Sequence, residues 1–444
     1  MIGDLLKSGM SVARLNLSHG SIEEHGKSIQ LIRSVASRTG KVVAILADLP
    51  GPKMRIGELK EPLTLKKGDE VTLTTNVEPY TIPLEQKDLP QFVSLEDTIY
   101  LNDGLIQLRV KGVTRDEIRC RVLIGGELLS HKGVNLPGIK LPLETITDRD
   151  LEFLNFGLEM GVDAFGISFV ERAKDIAKAK RFAEKRGKSP YFIAKIEREA
   201  AVENIDEILE AADGIMVARG DLGTEIPIEQ VPAVQKRLIR KANSACKPVI
   251  TATQMLESML YNPRPTRAEV TDVANAILDG TDAVMLSEET AIGRYPVEAV
   301  EMAAKIATAI EPQRSSLAHP WDLTEEWSSG GATAEDVISL NAVDGAHSLG
   351  AKFIITPTHS GSTPRHISRF KPDCWILSFS EGERTRNFLA FSYGVYPSLV
   401  EDEDDHSQIV ERVRGWGLAE SGDRAILTAG ISPQGTDSLR IITL

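Results

Sequence analysis

The stretch FIAKIE (residues 192–197) sets a lysine and a glutamate two positions apart inside an apolar run. Alternate residues of a strand share a face, so Lys195 and Glu197 point one way while Phe192, Ala194 and Ile196 point the other. An edge strand with a solvated face would explain that pattern by itself. The next segment, REAAVENIDEILEAA, has a helical pattern, which puts both charges at the C-terminal end of a strand entering a βα turn. That is where α/β folds carry their chemistry. Other strand ends look alike: Arg14 and Asn16 with Ser18 and His19 just beyond, then Asp48, Ser168, Arg219 and Asp221, and Thr253. Each alone reads as a satisfied polar group near a loop. Together, in a closed parallel barrel, they open onto one mouth.

The residue types assort chemically. Glu197 and Asp221 are hard carboxylates with no His or Cys alongside, a donor set that suits Mg2+ or Mn2+ better than zinc. Lys195 beside such an ion would supply positive charge where a phosphoryl or enolate oxygen gains negative charge. Arg14 and Arg55 are fork-shaped donors suited to phosphate. Phosphoryl transfer, or enolate chemistry on a metal, is the reaction class these residues indicate.

The positioning elements read as alternating strands and helices. Strand-like runs are VARLN (12–16), VVAILAD (42–48), AFGISF (164–169), FIAKIE (192–197), GIMVAR (214–219), PVITATQ (248–254) and AVMLSE (283–288), with helical patterns between them. Alternation of this kind predicts right-handed βαβ units and a parallel sheet. Seven runs are one short of a (β/α)8 barrel, and a doubly wound sheet would show a Gly-rich turn after its first strand, which is absent. Residues 53–134 break the pattern with period-two alternation punctuated by KKGD, NDG and GG, so a small all-β module is inserted there as a lid. Residues 311–333 read as a linker by their Pro, Ser and Gly content. Residues 334–444 then form a separate α/β domain with runs KFIITPT, CWILSF, VYPSLV, RAILTAG and LRIITL. The barrel part is expected over 1–52 and 135–310.

Bulk properties narrow the class. A chain of 444 residues with net charge −13 is too long for one ordinary core and argues against a nucleic-acid-binding surface. Three dispersed cysteines without a CxxC argue against a disulfide framework or a zinc site. No apolar stretch reaches membrane-spanning length and the start lacks a signal-peptide core, so a cytoplasmic location is expected, with no membrane and no nucleic-acid partner.

Eight ordered motifs make the chain resemble the pyruvate kinase family over essentially its whole length: VARLNLSHG, GPKMRIG, KGVNLPG, ISFV, AKIE, MVARGDLG, TATQMLESM and the long run from PRPTRAEV to PVEAV. The resemblance implies a TIM barrel with an inserted β lid and a C-terminal α/β domain, transfer of the phosphoryl group of phosphoenolpyruvate to ADP, and a homotetramer. It implies Mg2+ (or Mn2+) on Glu197 and Asp221, and Lys195 as the group stabilising the transition state. Arg14, Ser168, Gly220, Asp221 and Thr253 match substrate-binding positions, with Thr253 also implicated in protonating the enolate. Asn16, His19, Arg55 and Lys132 match positions around the nucleotide. The loop TPTHSGSTPRHISRFKP resembles a sugar-phosphate effector site, with Thr358, Ser360, Gly361, Ser362 and Thr363 as the cradle; a nucleotide effector and an ordinary capped turn are the other readings. A catalytically impaired relative acting as an assembly partner is the competing reading of the whole chain, which the intact Lys195, Glu197, Asp221 and Thr253 oppose.

Two departures from the family pattern matter. Potassium-dependent members read roughly D-T-K-G-P-E-x-R-T after the strand ending at Asp48, whereas this chain reads DLPGPKMRI. The monovalent-cation pocket maps to Asn16, Ser18, Asp48 and Leu49, and the Lys53 ammonium can stand in for the cation, so K+ is expected not to be required. The second departure lies before DLLKSGM, where the family carries roughly eighteen or more further residues that hold the opening strand of the eight-stranded barrel.

Overall fold

A computed structural model describes residues 1–75, 81–102, 104–139, 144–314, 331–402, 405–429 and 436–444. Most of the expected linker, at 315–330, lies outside the described residues. Seven parallel strands form one sheet, in chain order: β1 (Val12–Asn16), β2 (Ala44–Asp48), β3 (Ala164–Ile167), β4 (Tyr191–Ile196), β5 (Gly214–Ala218), β6 (Val249–Ala252) and β7 (Ala283–Met285). Each run read from the sequence is one of these strands, and β1 and β7 are the two edges of the sheet.

Period-two alternation divides the sheet into two apolar faces. Ile45, Ala47, Phe165, Ile167, Phe192, Ala194, Ile196, Ile215 and Val217 pack with buried helix residues such as Ile29, Leu154, Ile176, Ile208 and Leu238. The other face carries Ala44, Leu46, Ala164, Ile193, Met216, Ile250 and Ala252. It is completed by Phe388 and Phe391 from the C-terminal part of the chain, with the Phe388 ring stacked 3.7 Å from that of Tyr191. Burying such an aromatic side chain stabilises by about 1.5–3 kcal/mol, so the C-terminal region is anchored on the sheet rather than tethered beside it.

On that second face the register sets a polar row above the apolar one. Arg14 lies opposite Leu46, Asn16 opposite Asp48, and Asp48 opposite Gly166. Capping boxes start the flanking helices: Ser21 with Glu24 before Ile22–Thr39, Thr147 with Asp150 before Asp148–Glu159, and Thr266 with Glu269 before Arg267–Leu278.

The insertion forms a six-stranded sheet, ordered Val134–Asn135, Thr98–Leu101, Ile106–Val113, Glu117–Ile124, Glu70–Thr74 and Thr81–Pro83. Its core is its own, built on Ile56, Leu73, Ile99, Leu108, Val110, Ile118 and Leu128. At the C-terminal end, β8 (Phe353–Pro357), β9 (Trp375–Ser380), β10 (Val395–Leu399), β11 (Arg424–Ala429) and β12 (Ser438–Thr443) form a five-stranded sheet in the order β10-β9-β8-β11-β12. All pairs there are parallel except β11 with β12. No helix among the described residues is long and apolar enough to cross a membrane.

Candidate active site

Glu197 is buried, and Lys195, with its side chain 12% exposed, is joined to it. Lys195 Nζ lies 2.7 Å from Glu197 Oε1 and donates to Ser168 Oγ at 2.8 Å, with Asp48 Oδ2 at 3.8 Å. Ser168 Oγ in turn donates to the Leu49 carbonyl at 2.8 Å. Arg14 closes the other side, its Nε 2.9 Å and Nη2 2.7 Å from Asp48 Oδ2. Five side chains from four strand ends thus form one network of alternating charge. Glu197 and Asp48 are each only 1% exposed, and a carboxylate so placed stays ionised only when paired.

The electrostatics follow from that contest. Burial works against the charge on Lys195, but Glu197, Asp48 and Asp221 outweigh it and hold the ammonium above its ordinary range. Burial likewise works against an ionised Asp48, which Arg14 and Lys195 hold below the usual carboxylate range. Glu197 is pushed up by burial and, against the pull of Lys195, by the negative charge of Asp221. Two carboxylates, Asp221 near enough to raise Glu197, with no thiol or imidazole in the network, are a fitting donor set for a hard divalent cation.

The backbone is bent to make these contacts. Phe169 takes φ +57° so that its N–H can donate to Glu197 Oε2 at 2.8 Å. Thr253 and Gln254 take φ +71° and +52° in succession just beyond β6. Such conformations cost non-glycine residues about 1–3 kcal/mol each and persist because neighbours impose them. The Gly220 N–H donates to Thr253 Oγ1 at 2.8 Å, and Arg219 Nη2 donates to the Thr253 carbonyl at 2.7 Å. Arg219 therefore serves as a buttress, completed by Asp272 at 2.6 Å from its Nη1.

Other expected site residues group in pairs. Lys53 Nζ stands 3.7 Å from Asp221 Oδ1, which brings the inserted module to the mouth of the sheet. Asn16 Oδ1 accepts from the Ser18 N–H at 3.2 Å, and the His19 carbonyl contacts His25 Nε2 at 2.8 Å. Arg55 Nη1 donates to the His131 carbonyl at 2.9 Å, and the Lys132 carbonyl accepts from the Ile56 N–H at 3.0 Å, so Arg55 and Lys132 share one edge of the insertion. The residues expected to cradle an effector follow β8 in the C-terminal sheet. Gly361 takes φ +78° and its N–H donates to Thr358 Oγ1 at 3.0 Å, while the Ser362 N–H donates to Ser360 Oγ at 3.3 Å. Thr363 is hydroxyl-bonded to Thr436.

Three residues that sequence reasoning missed complete the site. Asp150 caps its own helix and also accepts from the Gly51 N–H at 2.9 Å, pinning the GPK loop. Gly51 itself has φ +66°, and a Cβ there would lie 2.8 Å from Phe169 Cδ2, so only glycine fits. Glu225 lines a cleft of about 200 Å³ between the insertion and the sheet, with Lys53, Phe169 and Arg198. Burial pushes its carboxyl up to about 7, against the pull of Arg198. The capping box around Thr147 is readable in TDRD; the link from Asp150 to Gly51, separated by the whole insertion, is not.

Comparisons with known proteins agree with this geometry. A family model described as pyruvate kinase, barrel domain, matches residues 1–300, and one described as pyruvate kinase, alpha/beta domain, matches residues 336–442. A curated pyruvate kinase of Thermococcus litoralis is 53% identical over 453 residues, which take in 100% of this chain and 95% of the relative. Those of Geobacillus stearothermophilus and Staphylococcus saprophyticus are each 44% identical, covering 99% and 97% of this chain and 76% and 75% of their own lengths. With both of its α/β regions matched and its strand-end charges joined in one buried network, the chain belongs to the pyruvate kinase family, phosphotransferases that pass the phosphoryl group of phosphoenolpyruvate to ADP.

Proposed function

We propose that the residues of this network divide the reaction among them as follows. Lys195 stabilises the charge that develops on the phosphoryl oxygens as the bond to the enolate oxygen breaks and the bond to the ADP oxygen forms. Arg14 holds the phosphate from the opposite side, and Ser168 fixes the Lys195 ammonium. The substrate carboxylate meets the Gly220 N–H and Thr253, and the Thr253 hydroxyl lies on the path by which the enolate takes its proton. Asn16, His19, Arg55 and Lys132 face the nucleotide. Glu197 and Asp221 hold Mg2+, which when bound supplies neutralising charge to phosphoryl and enolate oxygens.

The single observation that carries this reading is the position of Lys195, 2.7 Å from Glu197 and 2.8 Å from Ser168, at the polar end of a buried strand face. Its ammonium is already desolvated and fixed, so little reorganisation is needed as charge develops. Independence from K+ rests on Lys53, whose ammonium stands beside the Asp221 carboxylate. The Thr358–Thr363 loop as an effector cradle draws on its place after β8, the strand between β9 and β11, where the chain direction of the sheet order reverses.

The test is the initial rate of pyruvate formation from phosphoenolpyruvate, ADP and Mg2+ in a buffer whose only monovalent cation is bulky. Turnover without K+ supports the Lys53 role, and Lys53→Glu is then expected to create a K+ requirement. Strong activation of the unaltered chain by K+ would remove that role while leaving the Lys195 assignment standing. Retention of full rate in Lys195→Met would overturn the assignment itself.

A further inference from the structure

A second cluster of donor atoms lies where the helix Val231–Ser244 turns toward β6 and meets the C-terminal region. Cys246, Asp336 and His366 each offer one ligand atom, and these atoms lie within 4.8 Å of one another. We propose that Cys246, Asp336 and His366, with Glu335 as fourth donor, form a zinc-class metal site that staples the seven-stranded sheet's domain to the C-terminal domain.

Asp336 Oδ2 caps its helix, accepting the Thr333 N–H at 2.9 Å and hydroxyl at 2.7 Å, which leaves Oδ1, 4.0 Å from His366 Nε2, as the atom to face a metal. His366 Nδ1 lies 3.0 Å from the Ser362 carbonyl, which can only accept, and 3.2 Å from the Ser362 hydroxyl, which can accept as well, so the tautomer with its proton on Nδ1 serves the nearer partner. In the neutral ring the Nε2 lone pair is then turned to the acidic residues, the arrangement in which metal-bound histidines are held by a partner behind the ring. Nε2 stands 3.8 Å from Glu335 Oε2 and 4.0 Å from Asp336 Oδ1, too far for hydrogen bonds. Ligand atoms around one tetrahedral zinc, at roughly 2.0–2.3 Å from it, stand roughly 3.3–3.8 Å apart, so a small inward shift closes the set.

Charge balance favours the same reading. Arg369 backs the cluster, its Nη1 3.1 Å from Cys246 Sγ and its Nη2 2.8 Å from Asp336 Oδ1. A thiolate, two carboxylates, a neutral imidazole, a guanidinium and one divalent ion sum to zero. As the metal–sulfur bond forms, the Cys246 thiol gives its proton to solvent, and the Arg369 N–H then donates to a thiolate. The donors come from three separated segments, so no CxxC spacing announces them.

The measurement is a Co2+ titration of the full chain after chelator treatment, with saturating Mg2+ present to occupy carboxylates at the sheet mouth. Thiolate-to-cobalt charge-transfer absorption and intense visible bands of tetrahedral cobalt are expected at one ion per chain, displaced by Zn2+. Cys246→Ser should abolish the charge-transfer absorption, and His366→Gln should weaken binding by at least about 100-fold, since loss of even an outer-shell partner costs roughly 10–100-fold. Zinc should also raise the melting temperature of the unaltered chain and not that of Cys246→Ser. Absence of these bands in the unaltered chain, or their persistence in a folded Cys246→Ser protein, would overturn the proposal.

Discussion

Two sheets in this molecule, one wholly parallel and one parallel but for its last strand, place polar side chains at the C-terminal ends of their strands, and they solve the burial problem differently. The seven-stranded sheet buries ionic groups there: Lys195, Glu197 and Asp48, with Arg14 beside them. The C-terminal sheet buries hydroxyls instead, with Thr356 Oγ1 3.4 Å from the Leu377 carbonyl and Thr428 Oγ1 3.4 Å from the Ile355 carbonyl. Each of these hydroxyls is satisfied by a backbone carbonyl of the adjacent strand, which the ladder offers whatever side chains stand there. A buried charge costs several kcal/mol and must find an opposite charge on a neighbouring strand. The first sheet therefore depends on matched side chains across its mouth, and the second needs only its own backbone ladder.

The largest test of that contrast removes the central cation. Lys195→Met should lower kcat by about 10³ or more, the scale seen when a fixed cation is taken from a phosphoryl-transfer site. It also leaves Glu197 and Asp48 with less compensation, so unfolding stability should fall by about 3–5 kcal/mol. Chemical denaturation and steady-state rates on the same preparation check both. A large rate loss with unchanged stability would show that the network is not interdependent.

Next comes a change that touches no charge. A Cβ on Gly166 would overlap Asp48 Oδ1 directly, so Gly166→Ala must push Asp48 away from Arg14 and Lys195. Displacement of about 1 Å at such a site costs on the order of 10² in rate, and overpacking adds about 1–3 kcal/mol of instability. Rate and melting temperature should fall together. The same substitution at Gly345, where the nearest atom is Ile426 Cδ1 at 3.7 Å, should do neither.

A third test uses pH. Glu225 has its carboxyl raised to about 7 from 4.5, so the folded chain keeps a proton that the unfolded chain has lost between those values. The stabilising effect of the neutral form is full below about 4.5 and is lost as pH rises through about 7. Glu225→Gln stays neutral throughout. Its stability relative to the parent should therefore rise with pH across that window, by roughly 1–3 kcal/mol in total. Denaturant midpoints at several pH values read this directly, and parallel curves for the two proteins would refute it.

How much of this was legible in the sequence follows from the same contrast. Short β-rich runs between helical patterns located every strand of the seven-stranded sheet, and strand-end charges such as Lys195 and Glu197 announced themselves because charges are conspicuous in apolar runs. Arg219 looked equally conspicuous, yet it turns to the carbonyls of Ala252 and Thr253 and to Asp272. An arginine that supports a strained turn and one that meets a ligand have the same local sequence signal. Asp150, Gly51 and Gly166 were hidden for another reason: their roles depend on approaches between segments far apart in the chain. The convergence of Cys246, Asp336 and His366 is hidden likewise. Phe388 and Phe391 lie in the stretch assigned to the C-terminal domain, and only the packing shows them completing a face of the other sheet.

The smallest expected effect is the one that would show the second sheet to be self-sufficient. Thr358 Oγ1 accepts the Gly361 N–H at 3.0 Å, holding the turn in which Gly361 takes φ +78°. Thr358→Ala strands that buried donor, and the cost of an unsatisfied N–H is about 1–3 kcal/mol. Within the turn His359 and Ser360 are exposed and Ser362 is half-buried, so water can recover part of the loss and an effect near 1 kcal/mol is expected. No charge is uncovered and no partner on another strand is released. The rate of pyruvate formation at saturating substrates should accordingly stay within about twofold of the parent, since a 1.4 kcal/mol change in a barrier is needed for tenfold. A large rate loss in Thr358→Ala would mean that the two sheets are coupled through the Phe388 and Phe391 contact, and that the C-terminal turn belongs to the energetics of the catalytic mouth after all.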